Sequence, residues 1–517
     1  MNRRHFMMTA SVALVTGALT AGNPASATLA APSTTAPATQ PASRPAAKGT
    51  FRPITLTLQP RDADRPPLAL RLTVPATERV RGNAATLYLQ VSPDLPSNHR
   101  VYAELSPEQK RLWNLQDNHD PITWDDAVVR RVPLPQFPAA EVEKLLAEFA
   151  GDIALFEQAG FRDRCEWDLP WREQGFATLL PHIQQLRQAT LLMHLKGRLL
   201  LARGDLPGAV RCVRSQFEAA RGLRSEAFLI EVLVAISIES RALELLREVQ
   251  QQAACPNLYW AMIDLAATPR ADFGEAIEME RAALLIEFPE LKKAGGEDFT
   301  PADLNRMLRK LLRMPIAVGE NGAASPQQQL GETLGGAGIA AAMLPAAREY
   351  LQARGVANAD VAALPPHQVI GRFLVASTNE MYDGLVGLTA LPYWQLNPAV
   401  HEQMRSRHRE RKPGLPANPL TVLMPAIDRV LAQEAAIRRE LAAMTTAEAL
   451  RGHVARTGKL PGKLDDMLVG PMPPPADPVT GKPFDYAIEG ATAVLRSPAP
   501  EAFWPDRRLE YRIAVPR

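Results

Sequence analysis

Cysteine is scarce: Cys165, Cys212 and Cys255 are the only three in 517 residues. A disulfide scaffold is thereby excluded, because at most one intramolecular bridge can form. Two fates stay open, a Cys212–Cys255 bridge or three buried thiols packing as small hydrophobes. Neither sign of charge dominates. The formal net charge is +2, and removal of Arg3 and Arg4 with the leader described below leaves basic and acidic residues equal. A neutral chain offers no electrostatic case for nucleic acid or for an anionic membrane surface. Long apolar runs are missing as well: residues 232–238 are apolar, but Glu231, Glu239 and Arg241 bracket them. No integral membrane segment is therefore expected after leader cleavage, since a spanning helix needs about 20 apolar residues.

Catalytic signatures are also absent. The chain has no G-x-S-x-G, no C-x-x-C and no histidine pair at the one-turn spacing of H-E-x-x-H, so no catalytic residue, metal or cofactor is assigned. His182 and His194, with Glu166 and Asp168 upstream, read as capped or core histidines, and Glu448 with His453 as a surface pair. Gly336-Ala337-Gly338-Ile339-Ala340-Ala341 loosely resembles a dinucleotide fingerprint. That signature needs a preceding strand, and residues 325–333 are polar and unpatterned, so a glycine-rich helix start is the better reading.

What is present begins at the N-terminus. Asn2-Arg3-Arg4-His5-Phe6-Met7-Met8 followed by the apolar residues 12–19 reads as a twin-arginine export signal. Ala25-Ser26-Ala27 offers a cleavage site, and no cysteine lies there to carry a lipid. The expectation is a periplasmic or otherwise exported protein, soluble once residues 1–27 are removed. Residues 28–50 are nearly all Ala, Pro, Ser and Thr, a composition that cannot offset its ordering entropy and reads as a disordered tether.

With 46% apolar and 22% charged residues over its 517 positions the chain has ordinary globular composition and is long enough for roughly three domains. Residues 51–137 show period-two patterns at Ile54, Leu56 and Leu58, at Leu68, Leu70 and Leu72, and at Leu87, Leu89 and Val91. They read as a small irregular β-containing subdomain anchored by Trp113 and Trp124. A helical body is expected over 138–400. Val142, Leu145, Leu146, Phe149, Ile153 and Phe156 form one stripe, and helices dominate from Pro181 to about Ile286. Within them Gly197, Gly204-Asp205 and Ala209 match the spacing of a tetratricopeptide hairpin, so a repeat-like solenoid is expected. Residues 315–336 read as a Gly- and Gln-rich loop, and 401–419 as a basic, proline-rich hinge. A long helix follows from about Leu420 to Arg456, burying the stripe Val422, Ile427, Val430, Leu431, Ile437 and Leu441. Alternation at Phe484–Ile488, Ala493–Leu495 and Leu509–Val515 closes the chain as a small antiparallel meander. The fold class is mostly α, with a small β subdomain in front and a helix-plus-sheet module over 420–517.

Several phrases carry resemblances: Arg81-Gly82-Asn83-Ala84-Ala85-Thr86-Leu87-Tyr88, the Gly204-Asp205 hairpin, Leu364-Pro365-Pro366-His367-Gln368-Val369 with Leu391-Pro392-Tyr393, and Gly458-Lys459-Leu460-Pro461. Together with Asp477-Pro478-Val479-Thr480-Gly481-Lys482-Pro483-Phe484 they resemble an uncharacterised family of exported helical proteins of planctomycete bacteria, a likeness that implies no activity. The last 90 residues also resemble the globular half of type II secretion pseudopilins, through Gly458, Pro461, Asp477, Pro478, Gly481, Pro483, Phe484 and Tyr486. A pseudopilin helix is uniformly apolar, whereas this one carries Asp428, Arg429, Glu434, Arg438, Arg439 and Glu440. The resemblance therefore implies a borrowed structural module rather than a membrane-polymerising subunit.

The richest cluster is Glu166, Trp167, Asp168, Trp171 and Arg172, with Glu173 beside it. Two indoles among charges would suit a ligand cleft, and would equally suit a loop clamped by its tryptophans. The functional expectation is an exported binding or scaffold protein for an unidentified protein or small ligand. The alternative is an exported helical hydrolase using this loop as its cleft.

Overall fold

The computed structural model describes residues 53–63, 70–92, 132–225, 228–268, 273–313, 326–396, 418–423, 427–500 and 508–516. The export signal, the tether, Leu68, Trp113, Trp124, residues 315–325 and the basic stretch 401–417 lie outside them.

The elements run β1 (Ile54–Thr57), β2 (Val80–Asn83), α1 (Ala84–Tyr88), α2 (Ala139–Glu148), α3 (Ala150–Gly160), β3 (Arg162–Arg164) and α4 (Trp171–Gln174). Then come α5 (Pro181–Ala202), α6 (Leu206–Leu223), α7 (Leu229–Gln250), α8 (Tyr259–Ala267), α9 (Phe273–Glu287) and α10 (Pro301–Arg313). The chain continues through α11 (Pro326–Ala353), α12 (Asn358–Ala363), α13 (Pro366–Thr389), α14 (Ile427–Thr457), β4 (Asp485–Glu489), β5 (Thr492–Ser497) and β6 (Leu509–Ala514). The fold is mostly helical with a small sheet.

Proline supplies many of the helix starts. Pro181, Pro207, Pro301, Pro326 and Pro366 each occupy the first or second helical position, where a missing N–H costs nothing. Between α5 and α6 the chain turns at Gly204, whose φ of +79° is a left-handed conformation that glycine adopts without penalty. Asp205 then caps α6, its Oδ1 accepting the Gly208 N–H at 2.8 Å. The helices α5, α6 and α7 pack on one another in succession, and α7 leans on α14. Gly197 faces α7 rather than α6: a Cβ there would stand 2.3 Å from Leu245 Cδ2.

The helix α14 is the centre of the molecule. Every residue from 441 to 452 is buried, including Thr445, Thr446, Glu448 and Arg451. A helix enclosed on all sides is a core element, not the one-stripe amphipathic helix expected from the sequence. It also starts later than expected, at Ile427, after a 3-10 turn at Pro419–Leu423, and ends where Gly458 takes φ +73°.

The expected meander forms, with β4–β5 and β5–β6 antiparallel. Gly490, at φ +63°, occupies the first position of the two-residue loop joining β4 to β5. An extra strand completes the sheet. β1 lies parallel to β6, pairing Ile54 with Tyr511 and Leu56 with Ile513, so the order is β1-β6-β5-β4. The front and rear segments thus share one sheet. Its β6 strand packs on α14, while the half-buried Arg247 of α7 and Glu440 of α14 meet beside the buried Tyr511. The described part of the rear segment thus meets the rest of the chain both through β6, beside β1, and through α14, against α7.

Other expectations need correcting. Residues 84–88 form a helix, not a strand, because Asn83 Oδ1 caps it through the Ala85 N–H, leaving Leu89 exposed. Leu70 and Leu72 lie outside the strands. The stripe after Pro138 is split at Phe149 into α2 and α3. Residues 326–336, expected as loop, begin α11, and the Gly336–Ala341 run falls inside that helix. A Cβ on Gly336 would sit 2.7 Å from Asn305 Oδ1, so glycine there admits the neighbouring α10, and packing overrides propensity. The cysteines are all free thiols.

Candidate functional site

The 166–173 loop is held by its backbone and by one indole. Asn83 grips Glu166 twice, its Nδ2 donating to the Glu166 carbonyl at 2.7 Å and its Oδ1 accepting the Glu166 N–H at 2.9 Å. Trp167 is buried and donates Nε1–H to the Gly222 carbonyl at 3.0 Å, which satisfies its one polar group. Its ring stacks on His182 at 4.2 Å between centroids. Glu166, Asp168 and Arg172 are exposed, and Asp168 has a φ of +51°. Trp171 is half-buried, edge-on to Phe228, with the Arg172 guanidinium 4.4 Å above its ring. The structure therefore joins Trp171 with Arg172 and sends Trp167 into the core.

Behind Trp167 lies a polar pair that sequence reasoning missed. His182 Nε2 is 2.6 Å from Glu231 Oε1, both residues being fully enclosed, and Glu231 Oε2 accepts the Phe228 N–H at 2.7 Å. The partners are distant in sequence, and no local pattern joins them. Nearby, Glu280 accepts the Leu229 N–H at 3.2 Å. Desolvation, with the Glu231 carboxylate adding to it, pushes the Glu280 carboxyl up to about 7. Glu448, expected on the surface, is buried and ion-paired with Arg451. Cys212 and Cys255 are pushed up to about 12 by burial, so they are inert packing groups.

An open polar concavity lies elsewhere, between the 70–78 segment and α6. Leu70, Arg71, Pro75, Thr77, Glu78, Pro207, Val210, Arg211 and Arg214 enclose about 390 Å³. The helical wall follows from spacing: Pro207, Val210, Arg211 and Arg214 recur at three- and one-residue steps and share a face. The opposing segment is moored by the buried Glu218. Its Oε1 accepts the Val74 N–H at 2.8 Å, and its two oxygens accept from Arg79 Nη2 at 2.9 and 3.1 Å. Arg214 is fixed beside Glu78 at 3.5 Å and over the Phe161 ring at 5.1 Å. Sequence reasoning passed over Arg211 and Arg214; their three-residue spacing on α6 was the one available signal, and nothing local marked the segment facing them.

A second cavity of about 310 Å³ is lined by Arg198 and Glu248. There the guanidinium is already committed, with Nε donating to Glu248 at 2.9 Å and Nη2 to the Val132 carbonyl at 2.6 Å. The 70–78 pocket is accordingly the better binding candidate. Guanidinium groups hold their charge and transfer no proton at neutral pH, so this lining attracts and orients rather than reacts. Among the described residues, no group of three or more His, Cys, Asp or Glu is placed to hold a metal, and no helix is long and apolar enough to cross a membrane. No protein-family model, curated protein or solved structure matches the chain.

Proposed function

We propose that the chain is an exported binding or scaffold protein, whose helical body presents the 70–78 pocket to a small ligand or to a group on a protein partner. One observation carries this reading: the open concavity is lined by three arginines, groups suited to holding a ligand and unsuited to proton transfer. Export rests on Arg3-Arg4 and the apolar residues 12–19, which point to the periplasm or an equivalent exported compartment. The α5–α6 hairpin, with Gly204 in its turn, supports a tetratricopeptide-like origin for the body. Asp477, whose Oδ1 accepts the Val479 N–H at 2.9 Å, and Gly481 at φ +69° build the turn by which the tail resembles a pseudopilin module. A hydrolase cleft at 166–173 would need titratable groups converging on a substrate, and Glu166 and Asp168 are instead exposed on a loop locked by Trp167.

The test is a thermal-shift screen of the purified chain against anionic, cationic and neutral small molecules, with mass spectrometry of each hit after incubation. Saturable stabilisation by an intact anionic compound is expected. Recovery of the hit as a cleaved product would overturn the binding reading in favour of the hydrolase.

A further inference from the structure

Charge in the 70–78 pocket is unevenly committed. Arg214 is taken up by Glu78 and Phe161. Arg71 and Arg211 make no hydrogen bond or ion pair among the described residues, and they line the concavity from different elements, one from the segment and one from α6. Among the described residues, two positive charges lining one pocket are therefore without an ion-pair partner. Leu70, Pro75, Pro207 and Val210 supply apolar wall beside them.

Resting on the binding function proposed above, we infer that this pocket takes a doubly charged tetrahedral oxyanion, the head of a small phosphomonoester, with Arg71 and Arg211 as its two counter-charges. Each guanidinium offers a planar fork of donors that matches phosphate oxygens. A monocarboxylate would engage one fork and leave the second unused. The cavity volume holds such a head with a sugar-sized body, whose less polar face meets the four apolar side chains. Glu78 stands in the same lining as a fixed negative group, so it opposes any anion and sets the sign of one variant.

The experiment is isothermal titration of the purified chain with inorganic phosphate, glucose 6-phosphate and acetate at matched ionic strength. Phosphate and glucose 6-phosphate should bind at a single site, and acetate should not compete. Arg71→Gln and Arg211→Gln should each weaken glucose 6-phosphate by roughly tenfold or more, while Glu78→Gln tightens it. Unchanged thermal midpoints would show that these half-exposed or exposed side chains were not removed at the expense of the fold. Because a phosphomonoester takes up a proton near pH 6, its affinity should fall between about pH 7.5 and about pH 5.5, whereas that of inorganic sulfate should hold. Equal binding of acetate, indifference to both arginine variants, or no binding of either phosphate compound overturns the inference. A neutral ligand that slows amide exchange across 70–78 would overturn the charge assignment while leaving the binding function standing.

Discussion

Glu448 and Arg451, one turn apart on α14 and with no exposed side-chain surface, form an ion pair that ties three distant parts of the chain together. Arg451 donates through Nε to the Gln59 carbonyl at 2.5 Å, through Nη1 to the Pro256 carbonyl at 3.1 Å and through Nη2 to the Cys255 carbonyl at 2.6 Å. Glu448 accepts from Gln250 Nε2 at 2.9 Å and from the Leu258 N–H at 2.8 Å. The segment after β1, the α7–α8 connection and the central helix are thereby locked in one polar knot. Such a pair is weak evidence for net stability, because desolvation offsets much of the attraction, but breaking one half is costly.

Arg451→Met should accordingly destabilise the fold by about 3–5 kcal/mol, since it leaves Glu448 buried and three carbonyls without their donor. Adding Glu448→Gln should recover part of that loss. Denaturant unfolding of the single and double variants reads both effects. Strictly additive losses would mean that the two side chains act independently.

Glu280 predicts a pH dependence. Its folded-state value of about 7 lies above the ordinary 4.5, so between those values the folded chain holds a proton that the unfolded chain has released. Its contribution to stability is thus fully present below the ordinary carboxyl value and is lost as pH rises through about 7. Glu280→Gln keeps an acceptor for the Leu229 N–H and removes the ionisation. The stability difference, variant minus wild type, should therefore grow in the variant's favour from pH 5 to about pH 8 and then level off. A difference that stays flat across that window would show that Glu280 titrates as an ordinary carboxyl.

Gly197 and Gly204 should fail for different reasons. Gly197→Leu drives a side chain into Leu245, and overpacking of this kind costs about 1–3 kcal/mol or more. Gly204→Ala has open space around it and loses only through its left-handed backbone, about 1–2 kcal/mol. Thermal midpoints of both variants, with an α5–α7 packing probe such as amide exchange, separate the two. Only Gly197→Leu should loosen α7.

The export proposed above should depend on the arginine pair. Replacing Arg3 and Arg4 together by lysine should leave uncleaved precursor in the cytoplasm of an expressing cell, visible as a slower-migrating band in fractionation. Normal processing of the double variant would assign the leader to the general secretory route.

Local chemistry is legible in the amino-acid order itself. Proline at helix starts, Gly204-Asp205 as turn and cap, the β4–β5 hairpin around Gly490 and the alternation of β6 all depend on neighbours within a few residues. Expectation and fold part where a local pattern is compatible with two structures. The alternation of Leu87, Leu89 and Val91 yields to the cap at Asn83, and the glycines before Ile339 suit a helix because α10 comes close there.

The candidate site divides the same way. Arg211 and Arg214 sit at a helical spacing that the sequence displays, yet a basic stripe on a helix is ordinarily solvated surface. It becomes a pocket because buried Glu218 moors the 70–78 segment against α6, and that contact joins residues far apart in the chain. Likewise β1 alternates like any strand, but only folding brings it beside β6 at the other end of the sequence. Sequence patterning specifies which face of an element avoids water. Which faces then meet is decided when the whole core closes, because burial is non-directional and only the assembled shape selects among equally apolar partners.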